Sequence, residues 1–168
     1  SGKSAGGGAV LSLAGLSKRF GGTQAVNAVG FDVGRGEILA LLGENGAGKS
    51  TLIKMLAGVY PADTGSFEFH GQSFDPRKGH PSLAFIHQDL GLIEWMTVSE
   101  NISLMEGRHP GQEGPIDWRA ARDKALSALT LVSEELDPEA RVQDLTRTEK
   151  SLVAIARALA RDAELLVL

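Results

Sequence analysis

The chain of 168 residues carries a formal charge of −4, is 23% charged and contains no cysteine. That length suits one globular unit with a core that needs no staples, and the missing thiols remove a disulfide framework and any thiolate metal site, which suits a reducing, cytoplasmic setting. Charges of both signs are interspersed, so there is no basic stripe to track a nucleic-acid backbone, and no apolar run approaches the ~20 residues of a membrane-spanning helix.

Residues 1–8 are small, lack a starting Met and read as a flexible leader or tag remnant. Gly2-Lys3-Ser4 imitates the end of a phosphate loop but lacks the upstream glycine and strand that such a loop needs. Residues 10–20 and 24–33 are apolar-rich and separated by Gly21-Gly22, the punctuation of a β-hairpin or two sheet-edge strands. Residues 37–42 form a nearly continuous aliphatic run, the pattern of a strand buried on both faces of an α/β sheet. A helix is expected over 49–57, stopped by Gly58.

Strand, glycine loop and helix give the context for the segment Gly43-Glu44-Asn45-Gly46-Ala47-Gly48-Lys49-Ser50. Its glycines let backbone N–H groups converge on the β and γ phosphates of ATP, where a Cβ would obstruct the approach. Lys49 supplies a point charge on the phosphate oxygens, and the Ser50 hydroxyl can ligate Mg²⁺.

Further strands are expected at 66–69 and 83–87, with Asp63-Thr64-Gly65 and Gly79-His80-Pro81 as turn chemistry, in a sheet of mixed pairing. Helical pattern returns over 97–105 and over 117–132, where Asp117 can cap and Trp118, Ala121, Ala125, Leu129 and Val132 share one face. A last helix is expected from about 148 to 161, followed by the start of another buried strand at 164–168.

A phosphate loop alone does not choose among kinases, GTPases and transport ATPases. The surrounding residues do: Leu16 to Phe20, Gly48-Lys49-Ser50-Thr51, Leu56-Ala57-Gly58 and Thr64-Gly65-Ser66 with Gly71 resemble the nucleotide-binding cassette of ABC transporters. Ile86-His87-Gln88-Asp89-Leu90, followed by the stretch from Met96 to Ile102, resembles that family's Q-loop region as found in sugar importers. The resemblance runs from about Leu11 to the last residue.

It implies an α/β P-loop NTPase core with N-terminal antiparallel strands and an inserted helical subdomain, as an incomplete cassette. The expected division is a P-loop core over 9–90, a helical subdomain over 91–136, and a signature helix with the start of the next core strand over 137–168. Phe20 would stack on adenine, the loop from Gly43 to Thr51 would hold ATP, and Gln88 would approach Mg²⁺ and the attacking water. Lys49 and Gln88 are thus the catalytic candidates, and Ser50 and Gln88 the candidates for Mg²⁺. His87 is expected to face the sheet, and the histidines are too dispersed for metal-ligand spacing. Expected partners are a second cassette, permease subunits and, indirectly, a solute-binding protein, at the cytoplasmic face of the membrane and without nucleic acid. The function implied is coupling of ATP binding and hydrolysis to solute import, with a sugar as cargo. The rivals are a soluble ABC-type ATPase acting on nucleic acid or ribosomes, and a binding-only regulatory cassette.

Two departures qualify that expectation. Where the family pattern is Leu-Ser-Gly-Gly-Gln, this chain has Leu145-Thr146-Arg147-Thr148-Glu149, without either glycine. Thr146 and Glu149 fit a capping box that would simply start the helix, so the cassette is expected to complete a partner's site poorly. The hydrophobic run at 165–168 resembles the strand after which the family places its Mg²⁺ aspartate and catalytic glutamate, and neither is in this sequence. Binding of ATP without appreciable hydrolysis follows, because positioning and electrostatics dominate phosphoryl transfer. Arg122, Arg157 and Arg161 are expected only on solvated helix faces or in local ion pairs. Leu92, Ile93, Trp95 and Met96 are candidates either for the core or for a surface that receives a membrane subunit.

Overall fold

The computed structural model describes residues 8–44, 46, 48–86, 89–104 and 118–168. The chain divides into two compact units, Ser1–His80 and Pro81–Leu168.

In the first unit, β1 (Ala9–Phe20) and β2 (Thr23–Gly34) form the expected antiparallel hairpin about Gly21-Gly22. β1 also pairs antiparallel with β3 (Thr64–Phe69), which pairs with the short β4 (Gln72–Ser73), giving the order β2-β1-β3-β4. Leu11, Leu13 and Leu16 of β1 are buried with Val26 and Val33 of β2 and Phe67 and Phe69 of β3. The register of β1 slips at the same place against both neighbours, between Leu13 and Leu16 towards β2 and between Ala14 and Ser17 towards β3. Gly15 sits there at φ 62°, as an extra residue in a strand requires.

The bulge explains one difference from expectation. Thr64 and Gly65 begin β3 instead of forming a turn. Gly65 lies so close to the bulge that a Cβ would come 2.6 Å from the Ala14 carbonyl oxygen. A glycine inside a strand marks a close backbone approach here, and turn chemistry and close approach use the same residue.

Residues 37–42 are the larger correction. They are not in a strand: Ile38 is 96% and Leu42 90% exposed. The Glu37 N–H donates to the Gly34 carbonyl, while the Glu37 carboxylate accepts from the Gly34 N–H at 2.6 Å. That turn ends β2 and takes the chain off the ladder. An aliphatic run is hidden on both faces only when neighbours hold both its edges. Among the described residues it has no ladder partner.

Helix α1 (Lys49–Leu56) follows the loop and buries Leu52, Met55 and Leu56, the i, i+3, i+4 stripe of an amphipathic helix. It ends as expected at Gly58, whose φ of 74° continues no helix.

In the second unit, β5 (Leu83–Phe85) pairs in parallel with β6 (Leu165–Val167). Parallel and antiparallel ladders are therefore both present, each in its own sheet. Between the two strands come α2 (Val98–Ser103), α3 (Trp118–Val132) and α4 (Arg147–Ala160). Their core joins Val98, Ile102, Ala125, Ala128, Leu129, Leu136, Val142, Val153, Ala156 and Ala160. The many alanines let the helices approach closely. The predicted face of α3 is buried at Ala121, Ala125 and Leu129, but Trp118, at the first position of the helix, is 57% exposed. Asp117, proposed as its cap, lies outside the described residues. The strand at the chain's end is only half-buried, and Leu168 is exposed.

Candidate functional site

The phosphate loop is built by backbone geometry. Gly43, Gly46 and Gly48 all have positive φ, at 158°, 90° and 84°. Of these Gly48 is the most constrained. It caps α1 in the left-handed conformation with no side-chain bond, and a Cβ there would lie 2.2 Å from the Ala25 carbonyl oxygen on β2. Only glycine meets both conditions. The α1 ladder begins with Leu52 N–H donating to the Gly48 carbonyl at 2.9 Å, so the amides of Lys49, Ser50 and Thr51 precede it at the positive end of the helix dipole. This is anion-binding geometry.

The Lys49 ammonium folds back over the loop. It donates to the carbonyls of Gly43 and Glu44, the latter at 2.8 Å. Ser50 is exposed at the second helical position, and Thr51 is half-buried behind it. Asn45, Ala47, His87 and Gln88 lie outside the described residues.

Phe20 stands at the end of β1 and is 43% exposed. Its ring meets that of Tyr60 edge-on, with centroids 5.1 Å apart and planes at 71°, and the Lys18 ammonium lies 5.6 Å from its centroid. Lys18 is buried and bonded to Asp63 at 2.7 Å, and the other Asp63 oxygen accepts from the Arg19 N–H at 2.8 Å. The hydrogen bond from Lys18, then that from the Arg19 amide, holds the Asp63 carboxyl below the usual carboxylate range. Sequence reading missed Tyr60 and took Asp63 only as turn chemistry. Their positions between α1 and β3 carry no motif, and only the tertiary contact with Phe20 and Lys18 reveals them.

In the second unit, the start of α4 has the geometry of the capping box. Thr146 Oγ1 accepts from the Glu149 N–H at 3.3 Å, and the Glu149 carboxylate accepts from the Thr146 N–H at 2.7 Å. The Thr146 hydroxyl and backbone together lower the Glu149 carboxyl below its ordinary value. Arg147 and Lys150 line an open concavity of about 560 Å³ with Asp89 and Glu94, and a salt bridge of 3.0 Å joins Lys150 to Glu94. Charges of both signs, partly paired, do not make an anion cradle.

Arg157 departs from the expected solvated face. It is about half-buried and donates to the carbonyls of Leu90 and Gly91, the latter at 2.8 Å. Burial, with Arg161 adding to it, pushes its guanidinium below the ordinary value. It fastens the segment after Gln88 to α4. Arg122 does form an ion pair, with Glu139. Leu92 packs on the helical core, whereas Trp95 is 71% exposed, so the apolar run after Gln88 is divided between core and surface.

The chain is 42% identical over 163 residues to the "Ribose import ATP-binding protein RbsA" of Corynebacterium glutamicum, covering 95% of this chain and 31% of that protein. It is 39% identical over 169 residues to the "Xylose import ATP-binding protein XylG" of Geobacillus kaustophilus, again over 95% of this chain and 32% of the relative. It thus spans about a third of the length of these curated relatives. Among solved structures, cbiO1 from Clostridium perfringens, part of the ABC transporter complex cbiONQ, matches with a TM-score of 0.80 at 26% identity, over 94% of this chain and 64% of that one. The ADP conformation of an ATP-binding cassette of an ABC transporter matches with a TM-score of 0.73 at 26% identity, over 94% and 67%. These matches carry the P-loop NTPase fold expected from the glycine loop and the N-terminal antiparallel strands. The family described as ABC transporter matches residues 26–168, from β2 through the phosphate loop to β6, and the chain belongs to that family.

Proposed function

We propose that this chain is the nucleotide-binding part of an ABC importer ATPase, holding ATP phosphates at the loop from Gly43 to Thr51 and the base against Phe20. The observation that carries this reading is Gly48, left-handed at the start of α1 and too close to Ala25 for any side chain. That arrangement leaves the first amides of α1 at the positive end of the helix dipole, which suits an anion.

Binding exchanges partners at Lys49. The ammonium leaves two neutral carbonyls for anionic phosphate oxygens, so attraction between opposite charges is added to the hydrogen bonds. Mg²⁺, when bound, neutralises charge on those oxygens, and the exposed Ser50 hydroxyl is the residue to hold it, with Gln88 the second candidate. Calorimetric titration with ATP, with and without Mg²⁺, tests this. Saturable binding that Mg²⁺ strengthens in the wild type, and strengthens less in Ser50→Ala, supports it; Mg²⁺ dependence undiminished in Ser50→Ala contradicts the assignment.

The activity of the whole protein is proposed on the same basis: ATP hydrolysis driving import of a sugar, in company with a second cassette and permease subunits, peripheral to the cytoplasmic face of a membrane. The relatives named for ribose and xylose import support the cargo class and disfavour a role on nucleic acid or ribosomes. Lys49 and Gln88 are the proposed catalytic residues, and this chain alone is expected to bind ATP with negligible turnover. The capping geometry of Thr146 and Glu149 supports a local, helix-starting role for the segment that replaces the signature glycines.

A further inference from the structure

A nucleotide site of this kind has two separated halves, an anion cradle and a base platform, and its affinity depends on how firmly one is fixed relative to the other. Phe20 by itself is a poor platform. It stands beside the Gly21-Gly22 turn at the end of a strand with 43% of its surface exposed, and the Lys18 ammonium, 5.6 Å from its centroid, is a point charge that restrains the plane of its ring only loosely. A ring that must be immobilised when the base arrives weakens binding.

Tyr60 supplies a directional constraint. Its edge-on contact with Phe20, centroids 5.1 Å apart and planes at 71°, sets the plane of the Phe20 ring. Tyr60 is itself mounted on the phosphate helix. Its N–H donates to the Lys54 carbonyl at 3.2 Å, and the Lys54 ammonium lies 5.6 Å from its ring centroid. Lys54 belongs to the helix that opens with Lys49 and Ser50. Besides the Gly48 contact with Ala25 on β2, a path of side-chain contacts from phosphate cradle to base platform therefore runs through α1, Lys54 and Tyr60 to Phe20.

From this contact chain we infer that Tyr60 is a positioning residue for the base of the nucleotide, setting the Phe20 ring relative to the phosphate loop while touching neither phosphate nor metal. The inference rests on the proposed roles of Phe20 and the phosphate loop. It predicts a selective defect, because loss of Tyr60 loosens the base half of the site and leaves the phosphate half intact.

Inorganic tripolyphosphate, which has the phosphates of ATP and no base, separates the two halves. Affinities of this chain for MgATP and for magnesium tripolyphosphate are measured by calorimetry for the wild type, Tyr60→Ala, Tyr60→Phe and Phe20→Ala. Tyr60→Ala is expected to weaken MgATP about three- to tenfold, the range of one aromatic pair, with tripolyphosphate affinity retained. Tyr60→Phe keeps the ring edge and should recover most of the loss. Equal weakening of both ligands would make Tyr60 a support of α1 and overturn the inference. A selective loss in Phe20→Ala but not in Tyr60→Ala would overturn it while leaving the platform reading in place. No selective loss in Phe20→Ala would remove the platform itself, and the inference with it.

Discussion

In Ser1–His80 a side-chain core around Leu11, Leu16 and Met55 is joined by glycines at which the main chain itself is crowded, whereas Pro81–Leu168 rests on alanines, valines and caps. Gly48 and Gly65 each meet a backbone carbonyl oxygen within 2.6 Å of where a Cβ would be, so close approach of main chain to main chain constrains the first unit. The second is set by side-chain volume in the cluster around Val98, Ile102, Val142 and Val153, and by capping boxes at Thr97 and Thr146. Backbone approach is unforgiving, because no rotamer relieves a clash with a carbonyl. Packing of aliphatic side chains is graded, because each methylene removed costs a little more.

The sharpest way to break that contrast is Gly48→Ala. The left-handed backbone alone costs ~1–3 kcal/mol, and the 2.2 Å approach to Ala25 adds to it, so ATP binding should be lost together with stability. Wild-type binding by a folded Gly48→Ala chain would show that the approach is not required. Next in size is the helical core. Ile102→Ala should cost about 2–5 kcal/mol in urea unfolding and Ile102→Val only ~0.5–1.5. Equal losses would mean that the second unit is as intolerant as the first.

Caps come lower. Thr146→Ala should cost about 1 kcal/mol, and Thr146→Ser should restore most of it. Acid titration refines the same point. Glu149 and Asp63 both have lowered native pKa values, so each contributes stability that is fully present above the ordinary carboxylate pKa of about 4 and is lost as pH falls through the native value. Thr146→Ala should flatten the part of that acid limb due to Glu149. An unchanged acid limb would assign the loss of stability to other carboxylates.

What could be read in the sequence follows from the same distinction. Local chemistry was legible: the Gly21-Gly22 turn, the helix opening at Lys49, the stop at Gly58 and the Thr146 capping box depend on neighbours within a few residues. Residues 37–42 were not, since an aliphatic run carries no information about whether strands lie on either side of it. Gly65 was misread because a turn and a close approach both ask for glycine. Arg157 looked like a surface charge, and its bonds to Leu90 and Gly91 span more than sixty residues, beyond any periodic signal. The phosphate loop was legible as a motif, but the reason Gly48 admits no substitute lies on β2, at Ala25.

The central claim is that the loop opening α1 holds the phosphates of ATP through Lys49 and the helix amides. Calorimetric titration of MgATP into the chain beside Lys49→Ala tests it most directly. Saturable binding that the substitution weakens at least about tenfold, a difference of ~1.4 kcal/mol, is the predicted result. Equal affinity in both folded proteins would contradict the account.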